Sequence, residues 1–225
     1  MILELKNVYY SYLKGNKTRY VIDDLNVKFE LGKTYALVGR SGCGKTTLLS
    51  LLAGLDLPTK GDVMYYGNSE DGVSTNTIDD YEYRKNDVSI IFQNYQLFPL
   101  LTAKENVAFP LVMDKVKEEE ANKVAEDLLR LVDIEKNCDN RLPNNLSGGE
   151  QQRVAIARAL ISKPKIILAD EPTGNLDEQS ANIVVKKLME LAHNDNLCVI
   201  IVTHDQEVAN ACDVIYRMSE GRIVE

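Results

Sequence analysis

Gly39-Arg40-Ser41-Gly42-Cys43-Gly44-Lys45-Thr46 carries the spacing G-x-x-x-x-G-K-[ST] directly behind the apolar run Tyr35-Ala36-Leu37-Val38. Glycines so spaced let the backbone curl until successive N–H groups point inward, and a helix starting near Lys45 adds the positive end of its dipole. That arrangement suits the phosphates of a nucleoside triphosphate. Lys45 would reach the β and γ phosphates, and the Thr46 hydroxyl is placed to ligate Mg²⁺. Farther along, Ile166-Ile167-Leu168-Ala169-Asp170 is an apolar strand ending in a carboxylate, followed at once by Glu171. Ligand sites of parallel sheets gather at the carboxyl ends of strands, which brings Asp170 beside the phosphate loop. There it can hold Mg²⁺ through water, while Glu171 polarises a water for attack on the γ-phosphate. Val199-Ile200-Ile201-Val202-Thr203-His204-Asp205 repeats the arrangement, and its imidazole can hydrogen-bond the γ-phosphate and report whether it is present.

A second anion site is legible at Ser147-Gly148-Gly149, which precede a helix running through Val154, Ile156, Ala157 and Leu160. A serine N-cap on a bare helix start suits phosphate, the alternative being an N-capped helix and nothing more. His193 closes an expected helix, where compensation of the C-terminal dipole suffices, and is given no role.

The elements that must position these groups follow from periodicity. Strands are expected at 3–9, 26–29 and 35–38, then a helix at 45–53, a short strand near 63–66 and a polar loop over 68–80. A buried-type strand at 89–92 ends at Gln93. The pattern then turns helical up to Leu146, most clearly at Val124, Leu128, Leu131 and Val132 after the acidic turn Glu118 to Glu120. From Gly148, helix and buried strand alternate: helix to 161, strand 166–169, helix to about 193, strand 199–202, helix from 205. A turn at Gly221-Arg222-Ile223 closes the chain, with no regulatory domain expected after it. Alternation of this kind implies a parallel sheet covered by helices on both faces.

Composition bounds the function classes. At 225 residues and 44% hydrophobic content, the chain can bury one sizeable core. Its 26 basic against 34 acidic residues give a net charge of −8, which argues against nucleic-acid or anionic-membrane surfaces. No apolar run approaches bilayer length, and residues 1–8 alternate like a strand rather than a secretory signal, so a cytosolic location is expected. Cys43, Cys138, Cys198 and Cys212 are irregularly spaced, without a C-x-x-C pair or neighbouring histidines, which speaks against disulfides and structural zinc.

With these motifs in order, the chain resembles the ATPase subunits of ATP-binding-cassette (ABC) transporters from end to end. The most specific element is Leu146-Ser147-Gly148-Gly149-Glu150-Gln151, the family signature, lying between phosphate loop and Asp170 as expected. The resemblance implies an α/β P-loop NTPase fold of ABC type: a mostly parallel sheet covered by helices, an antiparallel β subdomain and a helical subdomain. One domain, 1–225, is expected, with 1–93 and 146–225 as nucleotide-binding core and 94–145 as the helical part. It implies that Glu171, His204, Gln93 and Lys45 are catalytic and that Thr46, Gln93 and Asp170 serve Mg²⁺. Tyr12 and the loop Gly39, Arg40, Ser41, Gly42, Cys43, Gly44, Lys45, Thr46 and Thr47 would hold ATP, Tyr12 by stacking on adenine. Packing alone also accounts for a tyrosine in the run Tyr9-Tyr10-Ser11-Tyr12.

By the same resemblance, Ser147, Gly148, Gly149, Glu150 and Asp177, the last in the D-loop 175–177, contact ATP held by a partner subunit. Two chains would then face head to tail as a homodimer around two ATP molecules. Pro172-Thr173-Gly174-Asn175-Leu176-Asp177 has Gly-Asn where many relatives have Ser-Ala, which looks like the branch serving macrolide export, lipoprotein release and antimicrobial-peptide resistance. Implied partners are integral membrane permease subunits, on whose cytoplasmic side the chain would sit. A regulatory or mechanotransmitting ATPase without transport remains the alternative, because it needs the same cycle. Leu97, Phe98, Leu100 and Leu101 form an apolar knot after Gln93, read either as part of a groove for the permease or as packing inside the helical subdomain.

Overall fold

Two sheets make up the β structure of the described residues, 1–12, 19–67 and 71–224 of the computed structural model. The smaller is antiparallel, in the order β2 (Ile22–Phe29), β1 (Leu3–Tyr10), β4 (Lys60–Tyr65), β5 (Val73–Ser74). Along β2 the buried residues Leu25, Val27 and Phe29 alternate with exposed ones, as a sheet with one solvated face requires. The larger sheet runs β10 (Arg222–Ile223), β9 (Val214–Ser219), β3 (Lys33–Gly39), β8 (Cys198–Val202), β7 (Ile166–Asp170), β6 (Val88–Ile91). All its pairings are parallel except β9 with β10.

Helices cover both faces of the larger sheet, and the pleat divides its strands between two cores. Ile167, Ala169, Val199 and Ile201 pack into one core with α3 (Ala103–Met113), α4 (Glu118–Leu131), α5 (Gly148–Leu160) and α6 (Glu178–Asp195). Their neighbours Ile166, Leu168, Ile200 and Val202 point the other way, into a core shared with α1 (Lys45–Leu52) and the antiparallel sheet. All five residues of β8 are buried, hence the unbroken apolar run in the sequence. The chain is thus an α/β P-loop fold with an antiparallel sheet and helices α3 and α4 added to it.

Helix α3 starts on a capping box: Thr102 caps the Glu105 N–H, and the Glu105 carboxylate accepts from the Thr102 N–H at 2.7 Å. From the first turn of α3, buried Asn106 organises the apolar knot that precedes the helix, accepting from the Phe98 N–H at 2.7 Å and donating to the carbonyls of Phe98, Leu101 and Thr102. Leu97 packs against the helical core, whereas Leu100 is 87% exposed.

Two stretches, around residues 71–86 and at the end of the chain, depart from the sequence reading. The expected loop 68–80, whose residues 68–70 lie outside the described residues, holds β5, and α2 (Asp80–Asn86) starts at its end. Helix α6 ends close to His193 as expected, at Asp195, with His193 in its last turn and Asn196 closing it in the left-handed conformation (φ 57°). His193 Nε2 lies 2.9 Å from Asp213 Oδ2, which also accepts from the N–H and hydroxyl of Thr34, so the histidine ties helix to sheet. Past α7 (Gln206–Ala211), the chain forms the β9–β10 hairpin instead of ending in an isolated turn. The four cysteines are buried and free. Among the described residues no helix is long and apolar enough to cross a membrane.

Candidate active site

Adjacent strands deliver the site in a row. Strand β3 runs into the phosphate loop, β8 exits to His204, β7 ends in Asp170-Glu171 and β6 leads to Gln93, all at the carboxyl edge of the sheet. The loop closes on Gly44, the N-cap of α1, which has φ 109° and leaves no room for a side chain: a Cβ would stand 2.9 Å from the Val21 carbonyl. The β9–β10 hairpin braces the loop from below, its Gly221 N–H donating to the Cys43 carbonyl at 3.1 Å.

Gly39, Ser41, Gly42, Gly44, Lys45, Thr46 and Thr47 line one cavity of about 630 Å³ together with Tyr12, Gln93, Asp170, Glu171 and His204. Two expected loop residues do not line it. Cys43 is buried and Arg40 exposed, and both line an adjoining cavity of about 1150 Å³ that shares Gly39, Ser41, Gly42 and His204 with this one. Lys45 Nζ donates to the Gly39 carbonyl at 2.7 Å and to that of Arg40 at 3.2 Å, so its ammonium is held over the loop. Tyr12 is 65% exposed, edge-on to Tyr10 at 5.0 Å between ring centroids, with its hydroxyl 2.9 Å from that of Thr47.

The carboxylates differ in environment. Burial, and then the neighbouring Glu171 charge, push the Asp170 carboxyl above the usual aspartate range, with Lys45 opposing. Glu171 has φ 48°, a left-handed conformation that costs a non-glycine residue about 1–2 kcal/mol. Its N–H donates to the Val202 carbonyl at 2.9 Å, and its own carbonyl accepts from Gly174 at 3.1 Å, which fixes that geometry. Glu171 Oε1 lies 2.9 Å from His204 Nδ1, and this hydrogen bond, reinforced by the carboxylate charge, raises the His204 pKa above its ordinary 6.5.

Ser147, Gly148, Gly149, Glu150 and Asp177 do not line this cavity. Ser147 caps α5 in a second capping box: the Glu150 N–H donates to the serine hydroxyl, and Glu150 accepts from the Ser147 N–H at 2.7 Å. Burial works against the Glu150 charge, but the hydrogen bonds from Ser147 and Cys138 and the Arg141 charge together outweigh it and hold the carboxyl below the usual range. Asp177 caps α6 by accepting from the Ser180 N–H at 3.0 Å. Sequence reading missed Arg158 and Tyr95. Arg158 donates to the carbonyls of Gln96 and Tyr95 at 2.6 and 2.9 Å, acceptors more than sixty residues away that no local motif could announce.

The oxygen donors Thr46, Gln93 and Asp170 suit Mg²⁺, which keeps several waters and needs few protein ligands. A half-buried carboxylate pressed by a second one is also a place where a cation is welcome. Among the described residues no cluster of three or more histidines, cysteines or carboxylates offers an all-protein cage.

The ABC transporter family model matches residues 22–174. An uncharacterized ABC transporter ATP-binding protein of Bacillus subtilis, YclH, is 41% identical over 98% of this chain and 94% of its own length. The lipoprotein-releasing system ATP-binding protein LolD of Rickettsia bellii is 42% identical over 99% of this chain and 97% of that protein. Among solved structures, the ATP-binding cassette MJ0796 of Methanocaldococcus jannaschii, a dimer in a post-hydrolysis state bound to ADP and Pi, superimposes with a TM-score of 0.87 at 36% identity, covering 100% of this chain and 97% of that one. The chain therefore belongs to the ABC transporter family, as one of its ATP-binding and ATP-hydrolysing subunits.

Proposed function

We propose that the chain works as a head-to-tail homodimer that closes over two ATP molecules and drives a separate integral membrane permease. The carrying observation is the separation within one chain: the cavity gathers Lys45, Gln93, Asp170, Glu171 and His204, while the capped helix start at Ser147 lies outside it. Each half would hold phosphate from one side only. The dimer seen for the MJ0796 cassette supports the pairing.

Lys45, Thr46 and the N–H groups of the loop bind the β and γ phosphates, and Tyr12 offers its exposed ring to adenine. Thr46, Gln93 and Asp170 would hold Mg²⁺, which when bound neutralises phosphate charge. Glu171 takes the proton of the attacking water. His204 shares a hydrogen bond with Glu171 and faces the same cavity, so a γ-phosphate competing for the imidazole leaves the Glu171 carboxylate to the water. Ser147, Gly148, Gly149, Glu150 and Asp177 complete the partner's site.

Residues 94–145 act as the helical subdomain. Between α2, β6 and α3 lies a groove of about 490 Å³ lined by Tyr81, Ile90, Phe92, Pro110 and Met113, to which none of Leu97, Phe98, Leu100 and Leu101 contributes. Phe92 lines the groove and Gln93 the nucleotide cavity, so adjacent residues join the two. We assign the groove to the permease, and with it a cytoplasmic position on the inner face of the membrane. The likeness to LolD supports export or release of a lipoprotein, peptide or drug-type cargo. Glu171→Gln is expected to lower ATP turnover about 10²- to 10⁴-fold with ATP binding intact. Turnover at the native rate would remove Glu171 from the mechanism.

A further inference from the structure

We infer that Asn175 is a positioning residue: its side-chain amide clamps the turn carrying Gln93 and so joins the metal side of one nucleotide site to the surface offered to the other. The inference rests on the roles proposed above for Gln93 and for Ser147 to Gly149. Asn175 Nδ2 donates to the Gln93 carbonyl at 3.1 Å and to Asn94 Oδ1 at 3.1 Å, spanning 82 residues of sequence. Beside it, Gly174 leaves the Gln93 carboxamide room to lie against the D-loop backbone. A Cβ on Gly174 would stand 2.7 Å from Gln93 Nε2.

The turn needs such support. Tyr95 and Gln96 both have positive φ, 55° and 47°, which non-glycine residues hold in succession only when their surroundings impose it. Arg158 of α5 grips the carbonyls of both residues from one side. The Tyr95 hydroxyl lies over Gly148, where a Cβ would stand 3.0 Å from it and 3.4 Å from Leu176 Cδ2. Gln93, the D-loop and the start of α5 therefore meet at one junction, and Asn175 supplies the side-chain hydrogen bonds that join its first two members. Without them the exposed Gln93 segment gains freedom that it must lose again before its carboxamide can serve the metal.

The test uses the full chain and measures kcat and KM for ATP, the Mg²⁺ concentration giving half-maximal turnover, and binding of a fluorescent ATP analogue. Asn175 is exposed, so its replacement leaves the core untouched. For Asn175→Ala, kcat should fall about 5- to 30-fold, as two lost neutral hydrogen bonds imply, and analogue affinity should stay within about 2-fold. The Mg²⁺ requirement should rise. Asn175→Asp, equal in shape but facing both acceptors with acceptors, should fall at least as far, and Gly174→Ala should show the same pattern by displacing the carboxamide. On a Gln93→Ala background, Asn175→Ala should add almost nothing, because its effect passes through the missing side chain.

Native turnover in Asn175→Asp, parallel loss of analogue affinity and turnover in Asn175→Ala, or fully additive losses in the double variant would each overturn the proposal. A Gln93→Ala chain with unchanged kcat and Mg²⁺ requirement would overturn the Gln93 assignment itself and this inference with it.

Discussion

Glu171 and His204 share a hydrogen bond of 2.9 Å inside the cavity proposed to hold ATP. Because the carboxylate raises the His204 pKa, the pair's contribution to stability is fully present below the ordinary histidine value of 6.5 and is lost as pH rises through the raised one. With only two histidines in the chain, this is directly readable. NMR titration of the ring protons should find His204 titrating above 6.5, and Glu171→Gln should bring it back toward that value. An unshifted His204 in the native chain would mean that the pair does not form in solution. At this scale the sequence announced which residues the fold gathers, since Lys45, Thr46, Asp170, Glu171 and His204 sit in short motifs whose strand context is itself local, and all five line one cavity. Arg158, Tyr95 and the Asn175 amide were not legible as a set, because their partners lie 62 to 82 residues away and are mostly backbone carbonyls without a side-chain signature.

Among the elements, the buried strands and long helices were recoverable from periodicity and the short, polar pieces were not. Helix α2 is seven residues long with one buried side chain, Tyr83, too little for a 3.6-residue pattern to show. Its signals were chemical instead: Asp79 caps Tyr81 and Glu82, acids fill the first turn, and Arg84 and Lys85 stand in the last. The β9–β10 hairpin was likewise announced by Glu220-Gly221, a two-residue loop with φ 48° and 79° that suits a tight antiparallel return. Tyr83 pins α2 to the end of α1 by donating from its hydroxyl to the Leu52 carbonyl at 2.9 Å, in a fully buried setting. Tyr83→Phe should therefore destabilise the chain by about 1 kcal/mol in urea unfolding, with ATP affinity unchanged. A neutral result would mean that the buried carbonyl finds another donor.

For the whole molecule, the parallel order β9-β3-β8-β7-β6 turns motifs scattered between Gly39 and His204 into one edge of one sheet. The same architecture keeps the start of α5 out of that cavity, so within one chain the cavity and the capped helix start lie apart, and the proposed dimer would bring them together. Mixing two variants tests this division most directly. On the proposed roles, Lys45→Ala would remove the phosphate grip and Ser147→Arg would block the helix start, so each chain alone should fail to hydrolyse ATP. Mixed in equal amounts, half of the dimers pair one chain of each kind and contain one intact composite site, which should restore about a quarter of native turnover. Full turnover by the Ser147→Arg chain on its own, or a mixture as inactive as its components, would contradict the account.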